Sequence, residues 1–145
     1  MILLGSDHAG YKLKKIIATY LEKHDFPFRD FGTYESETGD YPDYAFKVAE
    51  AIVNGKGEQG ILFCGTGIGM AIAANKVKGI RCAVCSEPYS ALLSRQHNNS
   101  NILSLGSRVV GEELAIMIVE TWLTGQYEAG RHQQRITKIN NYESD

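Results

Sequence analysis

Residues 60–76 read GILFCGTGIGMAIAANK. The first five residues are uninterrupted by any polar side chain, which is typical of a strand covered on both faces of a parallel sheet. A glycine-rich turn follows at residues 65–69, and residues 70–76 then have the composition of a helix. A strand, a tight turn and a helix in this order predict one unit of an α/β fold.

The same alternation runs along the rest of the chain. Short apolar runs predict further strands, and residues with helical spacing or composition lie between them. The additional strands are expected at 2–5, 26–31, 81–85 and 102–106, and the later helices at 88–96, 112–123 and 131–141. We therefore expect residues 1–145 to form a single-domain, Rossmann-like three-layer sandwich, with a five-stranded parallel sheet and helices on both faces.

The composition excludes several classes of protein. Hydrophobic residues make up 43% of the 145 residues and charged residues 22%, which is enough apolar material for a full core. The net charge of −2 argues against binding to nucleic acid, which requires a clustered basic face. No apolar run is long enough to span a membrane, and the amino terminus reaches Gly5 too early for a signal peptide.

The three cysteines are an odd number and show no disulfide framework, which predicts free thiols and a cytoplasmic protein. Cys82 and Cys85 resemble a metal-binding pair at first sight. However, residues three apart on a strand face opposite sides of a sheet, and no second Cys/His pair completes a zinc site. We therefore predict no metal.

Reactive side chains follow the predicted strands. Asp7 and His8 come after the first strand, and Cys64 ends the third. Glu87 follows the fourth strand, and Arg108 follows the fifth. Ligands of open α/β sheets bind beyond the carboxyl ends of the strands. This pattern predicts a ligand site at that edge of the sheet.

The glycine turn is compatible with more than one chemistry. The backbone N–H groups of the turn lie at the start of a helix and could hold a phosphate or a developing oxyanion. A dinucleotide-binding fingerprint would need a third glycine where Met70 or Ile72 stands, although Glu87 lies at a suitable distance for the ribose-binding acid. A P-loop would need Gly-Lys-Ser/Thr, which is absent. A cysteine phosphatase would need an arginine in residues 69–71, and none is there.

Two further groups have both a structural and a functional interpretation. The Cys64 thiol lies beside a helix N-terminus, where it could act as base or nucleophile, or it is simply a buried strand residue. His97, at a helix end, either caps carbonyl groups or takes part in chemistry. Arg131 and Arg135 share a helix face, which is either solvated or a phosphate clamp.

Several segments together resemble ribose-5-phosphate isomerase B, of the family shared with the galactose-6-phosphate isomerase subunits. The resemblance covers nearly the whole chain, and its specificity lies in the order of the segments. These are residues 5–10, 40–42, 64–69, 73–76, 79–81, 94–98, 106–108 and 130–135.

The resemblance implies an aldose–ketose isomerase of the pentose phosphate pathway that needs no metal or cofactor. It would interconvert D-ribose 5-phosphate and D-ribulose 5-phosphate through an enediolate. Cys64 would be the base between C1 and C2, Thr66 would hold the enediolate oxygen, and His97 would donate the proton that opens the furanose ring. One branch of the family has a glutamate base where Met70 stands here. The implied substrate-binding residues are Asp7, His8, Gly65, Gly67, Ile68, Gly69, Asn98, Arg108, Arg131 and Arg135.

The order of the elements makes a separate prediction about assembly. The helix at 88–96 runs back antiparallel to the sheet, so His97 should lie at the opposite edge from Cys64. If both serve one substrate, they must come from different subunits, which predicts a homodimer or a tetramer with shared sites. Residues 116–123 and the helix at 131–141 are the candidate interface.

Two alternatives to pentose isomerisation stay open. A six-carbon sugar phosphate such as allose 6-phosphate would need a similar site in a longer pocket. A non-catalytic module that binds a nucleotide or a sugar phosphate would use the same glycine turn without chemistry.

Overall fold

The computed structural model describes residues 1–34 and 39–143. In that part of the chain, five strands and six helices alternate. The elements are β1 (Ile2–Ser6), α1 (Tyr11–Lys23), β2 (Phe28–Asp30), α2 (Tyr41–Val53), β3 (Gln59–Cys64), α3 (Ile68–Ala74), β4 (Cys82–Val84), α4 (Pro88–Gln96), β5 (Ile102–Gly106), α5 (Glu112–Thr124) and α6 (Arg131–Tyr142).

The strands form one parallel sheet in the order β2-β1-β3-β5-β4. The register pairs Ser6 with Phe63 and Cys64 with Gly106. The three central strands β1, β3 and β5 therefore end at nearly the same level, and the residues that follow them share one edge. This edge is called the carboxyl edge below, and the edge at which the strands begin is the amino edge.

Two hydrophobic layers enclose the sheet, as the sequence predicted. Helices α1, α4 and α5 cover one face and bury residues such as Phe63 and Leu105. Helices α2 and α3 cover the other face and bury residues such as Leu62 and Met70. The continuous apolar runs of β1, β3 and β5 follow from this double cover, since each strand contributes alternate side chains to both layers.

The outer strands are shorter than predicted. The structure begins β2 at Phe28 rather than at residue 26, because the strand ladder starts only after Pro27, whose carbonyl accepts from the Ile2 N–H. Strand β4 likewise keeps only three residues. Cys82 packs against the α2–α3 layer and Cys85 lies in the opposite layer, which confirms that the two thiols face away from each other.

Lys14 is an unexpected member of the core. It lies on α1 and is 0% exposed, whereas the neighbouring Ile16 is partly exposed. Its Nζ donates to Asp30 Oδ1 at 2.8 Å and to the carbonyl oxygen of Thr33. A buried ammonium needs such partners. Lys14 therefore fixes the chain segment after β2 to helix α1.

Helix α5 uses most of its apolar surface inside its own chain. Ile118, Val119 and Trp122 are fully buried in the α1–α4–α5 layer, and the neighbouring Met117 is 55% exposed. Within residues 116–123, a candidate interface, these three side chains are therefore packed inside their own chain, and Met117 is exposed on the surface. No helix in the described ranges has the length and apolar character needed to cross a bilayer.

Candidate functional site

The glycine turn after β3 holds Cys64 in a fixed position. The thiol is 5% exposed, and its Sγ accepts a hydrogen bond from the Gly67 N–H at 3.1 Å. Gly67 has φ +81°, and a Cβ there would lie 2.9 Å from the carbonyl carbon of Leu105. Only glycine fits both constraints. Gly67 therefore lies between the backbone of β5 and the Cys64 sulfur.

Thr66 and the first residues of α3 complete the turn. The Ile68 N–H donates to Thr66 Oγ1 at 3.2 Å, so the hydroxyl proton of Thr66 points elsewhere and is available to a ligand. Thr66 is exposed at the carboxyl edge, whereas Cys64 lies beneath it. Helix α3 begins at Ile68, two residues earlier than predicted. The amides of Ile68 and Gly69 therefore belong both to the glycine turn and to the first turn of the helix.

Tyr41 covers the outer side of the turn and was missed by the sequence reasoning as a site residue. A Cβ on Gly69 would lie 2.5 Å from Tyr41 Cε1, so the tyrosine ring rests directly on the glycine backbone. Tyr41 is 42% exposed. The signal in the sequence was Tyr41-Pro42, since a proline at a helix start fixes where α2 begins.

Asp7 and His8 lie beside this turn, at the end of β1. The Asp7 N–H donates to the Phe63 carbonyl at 3.3 Å, and Asp7 Oδ1 accepts from the Gly10 N–H at 2.9 Å. The carboxylate is therefore oriented by the backbone that leads into α1. His8 is exposed and points from the same short loop.

Ser107 and Arg108 close the carboxyl edge from β5. Ser107 Oγ lies 2.7 Å from the carbonyl oxygen of Ala9 and 3.1 Å from that of Cys64, which ties the ends of three strands together. The Arg108 guanidinium lies over Gly65, with Nη1 3.1 Å from the place a Cβ would occupy. The structure thus brings Asp7, His8, the glycine turn and Arg108 together as predicted.

His97 lies at the other end of the sheet, where α4 ends. Its ring stacks on that of His132, with centroids 4.3 Å apart and planes 15° apart. Glu128 Oε1 lies 3.9 Å from His97 Nε2 and 3.8 Å from His132 Nε2. Loss of solvation and the positive charges of His97 and Arg131 hold the pKa of His132 below its usual range, against the opposing effect of Glu128.

The loop after His97 is held in place by hydrogen bonds from residues that were not predicted from the sequence as site residues. Arg81 Nε donates to the carbonyls of Asn98 and Asn99, both at 3.1 Å. The Trp122 indole N–H donates to Ser100 Oγ at 2.9 Å. Asn98 is left exposed on the rim of this loop. Such long-range contacts of arginine and tryptophan have no local pattern that would reveal them.

Arg131 and Arg135 lie on the first turns of α6 at the same amino edge. Both are exposed, and Arg135 Nη1 donates to the Arg131 carbonyl at 3.3 Å. The two guanidinium groups therefore occupy one helix face, as predicted from their spacing. Their surface is continuous with His132 and hence with His97.

The two groups of predicted site residues are separated by the length of the sheet. The Gly60 N–H at the start of β3 donates to Asn101, just after the His97 loop, whereas Cys64 ends the same strand. The four residue steps from Gly60 to Cys64 span roughly 13 Å at about 3.3 Å per residue. His97 cannot reach the Cys64 of its own chain, in agreement with the prediction from element order.

Glu87 has a structural role, which weakens the alternative of dinucleotide binding. Its carboxylate accepts from the Ser90 N–H at 2.9 Å and caps α4. These hydrogen bonds from Ser90 hold the pKa of Glu87 below its usual range. Since β5 also separates β4 from the glycine turn, Glu87 is poorly placed both as a base and as a ribose-binding acid.

The chain matches the family model described as Ribose/Galactose Isomerase over residues 2–139. It is 57% identical over 138 residues to ribose-5-phosphate isomerase B of Escherichia coli, which covers 95% of this chain and 93% of the relative.

Solved structures agree with this match. Ribose-5-phosphate isomerase B of Clostridium thermocellum superposes with a TM-score of 0.96 at 54% identity, covering 98% of this chain and 96% of the other. The enzyme of Mycoplasma genitalium, solved with bound ribulose-5-phosphate, has a TM-score of 0.92 at 46% identity and covers 98% and 95%. The sequence, the fold and the placement of Cys64 in the glycine turn lead to one conclusion: the chain belongs to the ribose/galactose isomerase family.

Proposed function

We propose that this protein interconverts D-ribose 5-phosphate and D-ribulose 5-phosphate as a step of the pentose phosphate pathway. The observation that carries the proposal is the Cys64 thiol, held at the head of a turn rich in backbone N–H donors. The reaction moves one proton between neighbouring carbons and leaves the overall oxidation state of the sugar unchanged. It therefore needs a base and an oxyanion site, which are the two parts that this edge offers.

Cys64 is the proposed base. The Gly67 N–H bond to sulfur at 3.1 Å is the kind of contact that supports negative charge on a thiolate. Met70, the position at which a carboxylate base would stand, is a fully buried thioether and takes no proton. In this mechanism the thiolate removes the proton from C2 of the open-chain aldose and returns it to C1 of the enediolate, while the proton of the C2 hydroxyl passes to the C1 oxygen.

Thr66 and the amides of the turn are the proposed oxyanion site. The Thr66 oxygen already accepts from Ile68, so its hydroxyl proton is free to bond the oxygen of the enediolate. Gly65, Gly67, Ile68 and Gly69 supply the backbone around that oxygen. The Gly67 N–H already donates to Cys64 Sγ and the Ile68 N–H to Thr66 Oγ1, so the amides of Gly65 and Gly69 are the proposed backbone donors. Donors of this kind stabilise charge that appears only in the transition state, which raises the rate rather than the affinity.

Asp7, His8 and Arg108 are the proposed sugar contacts at this edge, with Tyr41 as an addition from the structure. The Asp7 carboxylate is fixed by Gly10 and can accept from sugar hydroxyls. The exposed Tyr41 ring forms a wall beside the turn, which would exclude water from the reacting carbons.

Ring opening and phosphate binding are assigned to the amino edge of a second subunit. His97 is the proposed proton donor for the furanose oxygen, Asn98 a substrate contact, and Arg131 with Arg135 the phosphate clamp. Because these residues lie a strand length from Cys64, the proposal includes a homodimer with two shared sites. Helix α6 is proposed to pack on the partner.

Apolar residues exposed beside the glycine turn support this assembly. Ile68 and Ile72 on α3 are 54% and 60% exposed, and Val84 on the short edge strand β4 is 42% exposed. Together they form a more suitable contact face than helix α5 does. The three free thiols fit a reducing compartment, so we place the proposed enzyme in the cytoplasm.

The decisive experiment is an assay of ribose 5-phosphate isomerisation without added metal, in the wild type and in Cys64→Ser. We expect wild-type turnover that collapses in Cys64→Ser and persists in Cys82→Ser, a matched loss of a thiol outside the turn. No turnover in a folded wild type would overturn the pentose assignment, and allose 6-phosphate would then be assayed. Turnover that survives in Cys64→Ser would keep the reaction but remove its proposed base.

A further inference from the structure

A group of three potential metal ligands surrounds the stacked histidines at the amino edge. We propose that His97, Glu128 and His132 bind a first-row divalent ion such as Zn²⁺, which inhibits the enzyme by occupying His97. The inhibitory consequence rests on the proposed function of His97. The binding itself does not, because it follows from the placement of the three side chains.

The three ligand atoms lie close together. Both histidines direct Nε2 toward the same Glu128 oxygen, and all three atoms lie within 4.8 Å of one another. Tetrahedral Zn²⁺ with bonds of about 2.0–2.2 Å brings its ligand atoms to roughly 3.3–3.5 Å apart. The observed separations of 3.8 and 3.9 Å from Glu128 therefore need to close by only about half an ångström.

The near-parallel stack of the two imidazoles is the part that must change. Lone pairs on Nε2 lie in the ring planes, so rings 15° apart direct them side by side rather than at a common ion. Tilting the rings apart about their side-chain bonds corrects this, and the side chain of His97 is 35% exposed, which leaves it room to move. An ion would thus replace the stack.

The supporting backbone is firm. The His97 N–H donates to Leu93 O at 2.8 Å, and the Glu128 N–H donates to Gln96 O at 3.0 Å. The ligands therefore come from two regions that already touch, the end of α4 and the segment from Glu128 into the first turn of α6. Binding should cross-link these helices and raise the melting temperature.

The donor set selects the kind of ion. Two imidazoles and one carboxylate suit Zn²⁺, Co²⁺ or Ni²⁺, whereas Mg²⁺ and Ca²⁺ prefer sites built from oxygen ligands. Side-chain exposure of 53% at Glu128 leaves a coordination position open to water or substrate. The neighbouring Arg131 repels a cation, so we expect a reversible inhibitory site rather than a permanently occupied one.

The test uses Co²⁺ as a coloured probe. Titration of the wild type should give visible absorption with one Co²⁺ per chain, reversed by Zn²⁺ and not by Mg²⁺. Glu128→Gln and His132→Gln should each weaken binding by at least the roughly tenfold that even outer-shell losses cost. His24→Gln is the matched control, because it removes another ring-stacked imidazole, on Tyr20, away from the site.

Activity supplies the second readout. Zn²⁺ should slow ribose 5-phosphate turnover in the wild type and in His24→Gln, and Glu128→Gln should relieve that inhibition. Equal Co²⁺ affinity in the wild type, Glu128→Gln and His132→Gln would overturn the site. So would a thiolate charge-transfer band that disappears in Cys64→Ser, since the ion would then lie at the other edge. A protein that binds Co²⁺ here without isomerase activity would keep the site and reject the proposed function.

Discussion

The two edges of the sheet differ in how firmly their site residues are held. At the carboxyl edge, Cys64, Thr66 and Gly67 are fixed by backbone hydrogen bonds and by a turn that admits only glycine. At the amino edge, His97 is a partly exposed side chain at the end of α4, and Arg135 is a long, exposed side chain in the second turn of α6. Proton transfer from carbon needs atoms placed within a few tenths of an ångström, whereas a phosphate can be held by flexible charged groups. Under the proposed function, the carboxyl edge of the domain would position the reacting atoms precisely, and the amino edge would hold the phosphate.

The largest effect should come from mixing two inactive variants. Cys64→Ser disables the carboxyl edge and His97→Asn the amino edge, so each alone should be inactive. If sites are shared, random subunit exchange leaves half of the dimers with one intact site. Activity should then rise from background to about a quarter of the wild-type value, measured after mixing equal amounts.

A matched mixture controls for this gain. Cys64→Ser mixed with Thr66→Ala damages the carboxyl edge of every chain, so no intact site forms and no comparable gain is expected. Equal gains in both mixtures, or none in either, would contradict sites that combine the two edges of different chains.

Thr66→Ala should be the next largest change. Losing an oxyanion donor costs roughly 3–4 kcal/mol, so kcat should fall by more than about a hundredfold with little change in KM. Thr19→Ala is a suitable control, because that exposed hydroxyl bonds only the Lys15 carbonyl of its own helix at 3.0 Å. A loss below about twofold in kcat would remove Thr66 from the mechanism.

Arg135→Ala tests the amino edge by itself. A charge-assisted hydrogen bond to phosphate contributes about 1.5–3 kcal/mol, so KM should rise roughly tenfold or more while kcat changes far less. Lys138→Ala removes another exposed cation from α6 and should leave KM nearly unchanged. An unchanged KM in Arg135→Ala would count against the phosphate clamp.

The smallest expected effect concerns the thiol of Cys85, which belongs to neither of the two groups of proposed site residues. Burial, and then the charge of Glu87, raises the pKa of Cys85 to about 11. At pH 8 about one Cys85 in a thousand is therefore thiolate, and labelling by iodoacetamide should be negligible in the folded protein. Mass spectrometry after brief labelling checks this, with urea-unfolded protein as the reactive control. Rapid labelling of Cys85 in the native state would show that the layer beneath α4 opens readily.

The carboxyl edge was predictable from sequence because its parts are consecutive. Asp7, Cys64 and Arg108 each follow an apolar run directly, and parallel strands bring such positions together. The amino edge was predictable only in outline. His97 and Arg135 could be selected, but the contact of His97 with Glu128 and His132 depends on how α6 docks, which no periodicity encodes.

Other departures have equally local causes. Lys14 broke the apolar pattern of α1, because Asp30 and the Thr33 carbonyl supply buried partners that lie far along the chain. Which side chains of residues 116–123 are buried inside the chain was not predictable, because apolar character alone does not reveal which face of a helix its own chain covers. Tyr41 was passed over because its contact with Gly69 joins the first turns of two separate helices, α2 and α3.

The indole of Trp122 gives this molecule a built-in optical probe. It is the single tryptophan of the chain, it is fully buried, and one hydrogen bond separates it from the loop that carries His97. Its emission therefore comes from the amino edge alone, without a dye or an introduced label. Quenching or a spectral shift of the tryptophan emission on addition of a sugar phosphate would report events at that edge in real time.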